Sequence, residues 1–160
     1  LFAYMDFLYA PWRIKYIESP KKEEGCIFCK AASEPDGRYV LHNDGVSFVI
    51  MNIFPYNPGH LMVAPIRHVG SFSELTNEEI LSIGNMVKKS MDVLKKTMNP
   101  EGFNIGVNIG LAAGAGIRDH IHVHVVPRWC GDTNFMPVTG DTKVLSEALD
   151  ELYKKLKNNW

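Results

Sequence analysis

Three histidines alternate with aliphatic residues in the stretch Asp119-His120-Ile121-His122-Val123-His124-Val125-Val126-Pro127-Arg128-Trp129. In an extended strand successive side chains point to opposite faces, so His120, His122 and His124 share one face while Ile121, Val123 and Val125 share the other. Three imidazoles on one face make poor packing, because each is polar, titrates near neutrality and needs a partner when buried. Two chemistries suit them: a nucleophilic histidine held by its neighbours, or a multi-histidine metal site. A second cluster lies upstream in Cys26-Ile27-Phe28-Cys29-Lys30, read as a tight turn with two thiols on one side. With only three cysteines in the chain there is no disulfide framework, and in a reducing compartment this pair points to metal or redox chemistry, with Cys130 left over. His60, after Pro58-Gly59, and His68, just beyond the next strand, are each ambiguous alone.

Just before the three histidines runs Ala112-Ala113-Gly114-Ala115-Gly116-Ile117, a loop of almost no side chain. Such a loop lets a ligand approach the backbone, and its N–H groups can form an anion-binding concavity. His122, with an imidazole on either side and this loop upstream, suits attack on a phosphorus atom. Imidazole is partly unprotonated at neutral pH and is a competent nucleophile and leaving group, while backbone donors stabilise charge on the phosphoryl oxygens.

The elements that must position these residues are legible from pattern. The 160 residues fit one domain with a sizeable core, and the composition, 46% hydrophobic and 22% charged, is globular. A net charge of -1 gives no global attraction to nucleic acid, and no apolar run nears the ~18 residues that span a bilayer. The apolar start lacks a basic leader and a small-residue cleavage site, so a cytoplasmic protein is expected. Residues 1–25 are read as an arm carrying Trp12, Tyr16 and Ile17, 26–137 as the core and 138–160 as a closing helix. Arg38 to His42 and Val46 to Met51 flank Asn43-Asp44-Gly45 as a hairpin, and Leu61 to Pro65 forms a third strand. Thr76-Asn77-Glu78-Glu79 has capping-box spacing, and Ile80, Ile83, Val87, Met91, Leu94 and Met98 then make one helical stripe. Phe103 to Gly110 alternates, with Phe103, Ile105, Val107 and Ile109 expected inward. A last helix is expected over Thr142 to Asn159, with Leu145, Ala148, Leu149, Leu152 and Leu156 on one face. The fold class is α+β, an antiparallel sheet with two principal helices.

The stretch His120 to Val126 matches, position by position, the His-φ-His-φ-His-φ-φ motif (φ apolar), and the chain resembles the histidine triad family. Asn52, Pro58, Gly59 and His60 resemble the family's nucleotide-binding segment, and the likeness runs from about Cys26 to Phe135. Pro127-Arg128-Trp129 with Gly131-Asp132-x-Asn134-Phe135 is most similar to the dinucleoside-polyphosphate branch, bacterial diadenosine tetraphosphate phosphorylases in particular. The resemblance implies a sheet of about five strands. It implies His122 as a nucleophile forming a nucleotidyl-histidine intermediate, with His124 and His60 around the phosphate. It also implies Asn52 on the ribose, Ile50 at the base and Asn108 near ribose and phosphate. One departure stands out: relatives usually place Gln, Ser or Thr in the loop before the triad. Here Gly114, Ala115, Gly116 and Ile117 leave the phosphates to backbone donors and Arg118. Some bacterial members hold structural zinc, and the corresponding ligands are Cys26, Cys29, His68 and His120. A homodimer acting on a nucleotide or dinucleoside polyphosphate is implied, with no redox cofactor, nucleic acid or membrane involved.

Three other readings stay open at this level. One is hydrolysis of nucleoside phosphoramidates by the same nucleophile. Another is a nucleotide-binding regulatory module in which turnover is incidental. The third is a zinc hydrolase that uses all three triad histidines as ligands, which would leave the Cys-Cys-His-His set unexplained.

Overall fold

The computed structural model describes residues 25–34, 37, 39–133 and 147–160, and among them an antiparallel sheet carries the histidine stretch. The arm with Trp12, Tyr16 and Ile17, together with Arg38, Asn134, Phe135 and Leu145, lies outside these residues. Strands β1 (Val40–Asn43) and β2 (Ser47–Met51) form the expected hairpin. Its turn is built by Gly45 at φ +90 and by the Asn43 and Asp44 side chains, which accept from the Gly45, Val46 and Ser47 N–H groups. Strand β3 (Leu61–Pro65) follows, then helix α2 (Asn77–Met98), β4 (Gly102–Val107) and β5 (Val123–Arg128). The sheet order is β1-β2-β3-β5-β4, so the two strands nearest the site chemistry, β3 and β5, are central neighbours. Helix α1 (Ile27–Ser33) precedes the sheet and α3 (Leu149–Lys157) follows it.

Alternation divides each strand between two layers. Val49, Met51, Leu61, Val63, Val123 and Val125 point to the main core, where Ile83, Met86, Val93 and Leu94 of α2 and Leu152 and Leu156 of α3 cover them. Leu94 and Leu156 are fully buried there, each stabilising the fold by about 2 kcal/mol through removal of apolar surface from water. On the other face Phe28 of α1 packs on Phe48, Met62 and Ala64. Directly opposed residues set a row across that face: Ile50 on β2, Met62 on β3, His124 on β5 and Gly106 on β4. Adjacent strands lie ~4.8 Å apart, so Ile50 stands about 10 Å from His124.

Several expectations shift. Cys26 to Lys30 is not a simple turn; Cys26 is the extended N-cap of α1. The stripe of α2 is rotated: Ile80 is 42% exposed, while Met86, Ser90 and Val93 are buried. Ser90 satisfies its hydroxyl on the Met86 carbonyl, which is how a polar residue sits on the buried face. Strand β4 ends at Val107, and Ile105 and Ile109 are exposed, not inward. Among the described residues β4 is the sheet edge, and α2 packs mainly over β2, β3 and β5, which leaves Ile105 little covered. Helix α3 begins at Leu149, with Ala148 extended before it and Asp150 and Glu151 favouring the start by their charge.

The start of α2 is pinned by more than its cap. Thr76 accepts from the Glu79 N–H, and Glu79 accepts from the Thr76 N–H, while both Glu79 oxygens also take the Arg67 guanidinium at 2.8 Å. These bonds, Arg67 first, hold the Glu79 carboxyl well below its ordinary value of 4.5. A carboxylate depressed on folding stabilises above its unfolded pKa, and that contribution is lost as pH falls through the folded one. In urea unfolding measured against pH, Glu79→Gln should flatten the acid-side loss of stability below pH 4.5. A variant whose acid limb parallels the parent would contradict this role.

Candidate active site and metal centre

Strand β5 begins only at Val123, so His120, where the chain bends, and His122 lie just before it, and His124 alone of the three is within the ladder. The approach is held by the Ile121 N–H donating to the Val69 carbonyl at 2.7 Å. All three imidazoles are buried, at 0%, 7% and 9% exposure for His120, His122 and His124, and His60 joins them at 1%. With water excluded, each ring nitrogen's partner decides where its proton sits.

His122 Nδ1 lies 2.9 Å from the His120 carbonyl. A carbonyl only accepts, so Nδ1 carries the proton and Nε2 keeps its lone pair. Burial lowers the His122 pKa, with the His120 carbonyl opposing, and the ring is neutral at physiological pH. Phe28 lies against it at 4.6 Å between ring centroids, and His124 meets it edge-on at 4.9 Å.

His60 and His124 form a second unit, with His60 Nε2 2.9 Å from His124 Nδ1. The Tyr56 N–H reaches His60 Nδ1 at 3.1 Å, so Nδ1 accepts and the His60 proton lies on Nε2, aimed at His124. His124 Nδ1 is thereby an acceptor and its own proton is on Nε2; the Asn108 amide, 3.5 Å away, pairs with that N–H only by turning its oxygen toward it. Burial, then the neighbouring His124 and His122, push His60 down to about 3, which keeps it neutral. The pair presents an N–H donor beside the His122 lone pair.

The expected nucleotide residues fall partly together. Ile50 lies in the same cross-sheet row as His124, and the Asn52 amide is 3.3 Å from His60 Nδ1. Asn108 reaches His124 from the end of β4. The loop before the triad is more self-contained than its composition suggests. The Gly114 N–H donates to the Leu111 carbonyl and the Ala115 N–H to the Gly110 carbonyl, leaving Gly116 as its exposed glycine. Arg118 is exposed beyond it.

The four expected metal ligands do converge. One ligand atom from each of Cys26, Cys29, His68 and His120 lies within 4.8 Å of the others. His120 Nδ1 is 3.4 Å from Cys26 Sγ and 3.6 Å from Cys29 Sγ, and His68 Nδ1 is 3.1 Å from Cys29 Sγ. Tetrahedral zinc with sulfur and nitrogen ligands sets such edges at about 3.5 Å. The other ring nitrogen of His120 donates to the Pro65 carbonyl at 2.8 Å, which turns Nδ1 toward the thiols. Burial and the Cys26 sulfur push the Cys29 thiol up, and a bound cation would favour its thiolate. The donor set fits a closed structural zinc site.

Sequence reasoning missed the groups that fix the rings, namely the His120 and Pro65 carbonyls and the Tyr56 N–H, because backbone atoms leave no mark in residue type. It also gave Phe28 no part beyond separating the two cysteines, although that spacing places it on the helix turn the thiols close.

Comparison with known proteins identifies the family. The HIT domain family profile matches residues 33–130. An AP-4-A phosphorylase of Mycobacterium tuberculosis is 36% identical over 163 residues, spanning 96% of this chain and 83% of that protein. The asymmetrical bis(5'-nucleosyl)-tetraphosphatase of Schizosaccharomyces pombe is 34% identical over 94 residues, 59% of this chain and 51% of that one. Among solved structures, a Zn-bound histidine triad family protein from Mycobacterium smegmatis shares the fold. It has a TM-score of 0.68 at 24% identity, covering 84% of this chain and 92% of that chain. The fold, the three alternating histidines and the family match together make this chain a member of the HIT domain family.

Proposed function

We propose that the protein cleaves dinucleoside polyphosphates, diadenosine tetraphosphate foremost, through a nucleotidyl intermediate on Nε2 of His122. The observation that carries this reading is the bond from His122 Nδ1 to the His120 carbonyl, which keeps the proton on Nδ1 and the nucleophilic lone pair on Nε2. The 36% identity to a phosphorylase of this substrate class over nearly the whole chain supports it. Nε2 attacks the α-phosphorus, the bond to the departing nucleoside polyphosphate breaks, and adenylyl-His122 and ATP result. Phosphate then attacks the same phosphorus to release ADP, or water releases AMP, and the imidazole is regenerated. The His124 Nε2–H donates to a phosphoryl oxygen, and the buried His60 holds His124 in the tautomer that can do so. In this reading Asn52 binds ribose, Ile50 packs the base, Asn108 lies between ribose and phosphate, and Gly116 with Arg118 serves the outer phosphates.

Zinc bound by Cys26, Cys29, His68 and His120 would act as a cross-link, tying α1 and the chain after β3 to the residues that present His122. A homodimer joined along β4 completes the reading, since an edge strand with Ile105 48% exposed offers both backbone and apolar surface to a second copy. We read the protein as cytoplasmic, where thiolate ligands persist; no described helix is long and apolar enough to cross a membrane.

Product analysis of diadenosine tetraphosphate with and without inorganic phosphate tests the reaction. ADP plus ATP appearing only with phosphate marks phosphorolysis, AMP plus ATP without it marks hydrolysis, and no cleavage under either condition rejects the proposal. Adenosine phosphoramidate run in parallel should be the poorer substrate. His122→Ala should lower turnover by on the order of 10⁴-fold or more while nucleotide binding persists. Elemental analysis should find about one zinc per chain, and Cys29→Ser should lower both that content and the thermal midpoint. Equal zinc content in the two proteins would remove Cys29 from the ligand set. Solution scattering should return the mass of two chains, and Ile105→Lys should shift it toward one; a parent protein that scatters as a monomer refutes the edge-strand dimer.

A further inference from the structure

The Pro127-Arg128-Trp129 and Gly131-Asp132 segment marks the branch of the family in sequence, yet none of it touches substrate in the reading above. At its centre, Asp132 is 9% exposed and accepts from Arg128 Nε at 2.6 Å and Nη2 at 3.0 Å, from the Trp129 N–H at 3.2 Å and from Asn57 Nδ2 at 2.6 Å. The guanidinium holds the carboxyl well below the usual carboxylate range, so it is an anion whenever the protein is folded near neutrality.

Asn57 is the informative partner. It is 3% exposed and gives its second amide hydrogen to the Pro127 carbonyl at 3.1 Å. With one hydrogen on a carboxylate and one on a carbonyl, the amide has a single orientation, because a flip would set its oxygen against two acceptors. Asn57 lies inside the loop that delivers His60. Its own carbonyl accepts the His60 N–H at 3.2 Å, and the loop closes with the Asn52 N–H on the His60 carbonyl at 2.9 Å. Within it sits Tyr56, whose N–H shares His60 Nδ1 with the Asn52 amide at 3.3 Å, so that both donors of this loop set the His60 tautomer. Gly59 makes the loop tight: at φ +80, an added Cβ would meet Met98 at 2.8 Å, Leu94 at 3.0 Å and Pro127 at 3.1 Å. The loop backbone therefore lies close against the core, and Asn57 ties it to β5. Arg128 extends the clamp across the sheet, its Nη1 reaching Asn104 Oδ1 of β4 at 2.5 Å.

We propose that Asp132 is a positioning residue: through Asn57 it fixes the Pro55-to-His60 loop, keeps the Tyr56 N–H on His60 Nδ1, and so keeps the His60 proton directed at His124. Its effect on turnover rests on the proposed reaction, whereas its effect on the rings can be read in the free protein. Asp132→Asn keeps the volume but sets a neutral amide where Arg128, Trp129 and Asn57 all donate.

The test pairs two measurements on Asp132→Asn and on Asn57→Ser, which cuts the same bond from the other side, each checked for folding by circular dichroism. Long-range ¹H–¹⁵N correlation spectra of the histidine rings should show His60 protonated on Nε2 in the parent. In both variants that single-tautomer pattern should be lost. Cleavage of diadenosine tetraphosphate should lose roughly ten- to a hundredfold in kcat, with KM much less affected. A folded variant that keeps the parent His60 pattern overturns the proposal, as does a changed pattern with the parent's kcat. A changed pattern in a protein whose parent cleaves no polyphosphate leaves the positioning role standing and sinks the proposed function instead.

Discussion

His120 is the residue through which the site is joined. Its Nε2–H is held by the Pro65 carbonyl of β3, its Nδ1 faces the two thiols, and its own carbonyl takes the His122 proton. A buried imidazole with both nitrogens assigned has no freedom left to rotate, and its backbone is then equally fixed. The ring is fully buried and packed against Phe28 and His68, so the Cys-Cys-His-His cluster and the proposed nucleophile, His122, share one rigid support. Moving His120 would disturb a ligand set and a tautomer at once.

That support works because the sheet separates the two demands placed on it. Val123 and Val125 face the helix-covered core, while His124 faces the opposite layer. Hydrophobic burial on one side fixes the register, since a slip by one residue would carry the valines out and the imidazoles in. Polar chemistry can then be concentrated on the other side without costing the core its packing. Central placement of β3 and β5 adds to this, because a central strand has neighbours on both edges and is the least free to move.

Much of this was legible in the chain itself. Period-two alternation located the hairpin, β3 and the histidine stretch, and the Thr76-Glu79 spacing located the start of α2. The Cys-Cys-His-His set was reached only through family resemblance, since residues 26, 29, 68 and 120 carry no local signal that they meet. Errors of placement share a cause. Ile80, Ile105 and Ile109 were expected inward on pattern alone, but whether an apolar residue is covered depends on which neighbour lies over it, and that is decided by tertiary packing. The loop before the triad is likewise shaped by bonds that residue type does not announce: Gly114 and Ala115 give their N–H groups to the Leu111 and Gly110 carbonyls.

The site's arrangement of protons has a chemical consequence. Among the described residues the bases around His122 are imidazoles, and the Asp132 carboxylate reaches His60 through an amide and a loop instead of touching a ring. An aspartate bonded directly to His60 or His122 would raise the ring's pKa and favour the imidazolium, which has no lone pair to give. Burial acts in the other direction, and the backbone carbonyl at His122 Nδ1 supplies orientation without a negative charge. In the proposed reaction, a lone pair at neutral pH thus comes from keeping the rings neutral and oriented. The charge needed for that orientation is held at a distance, where Arg128 neutralises it.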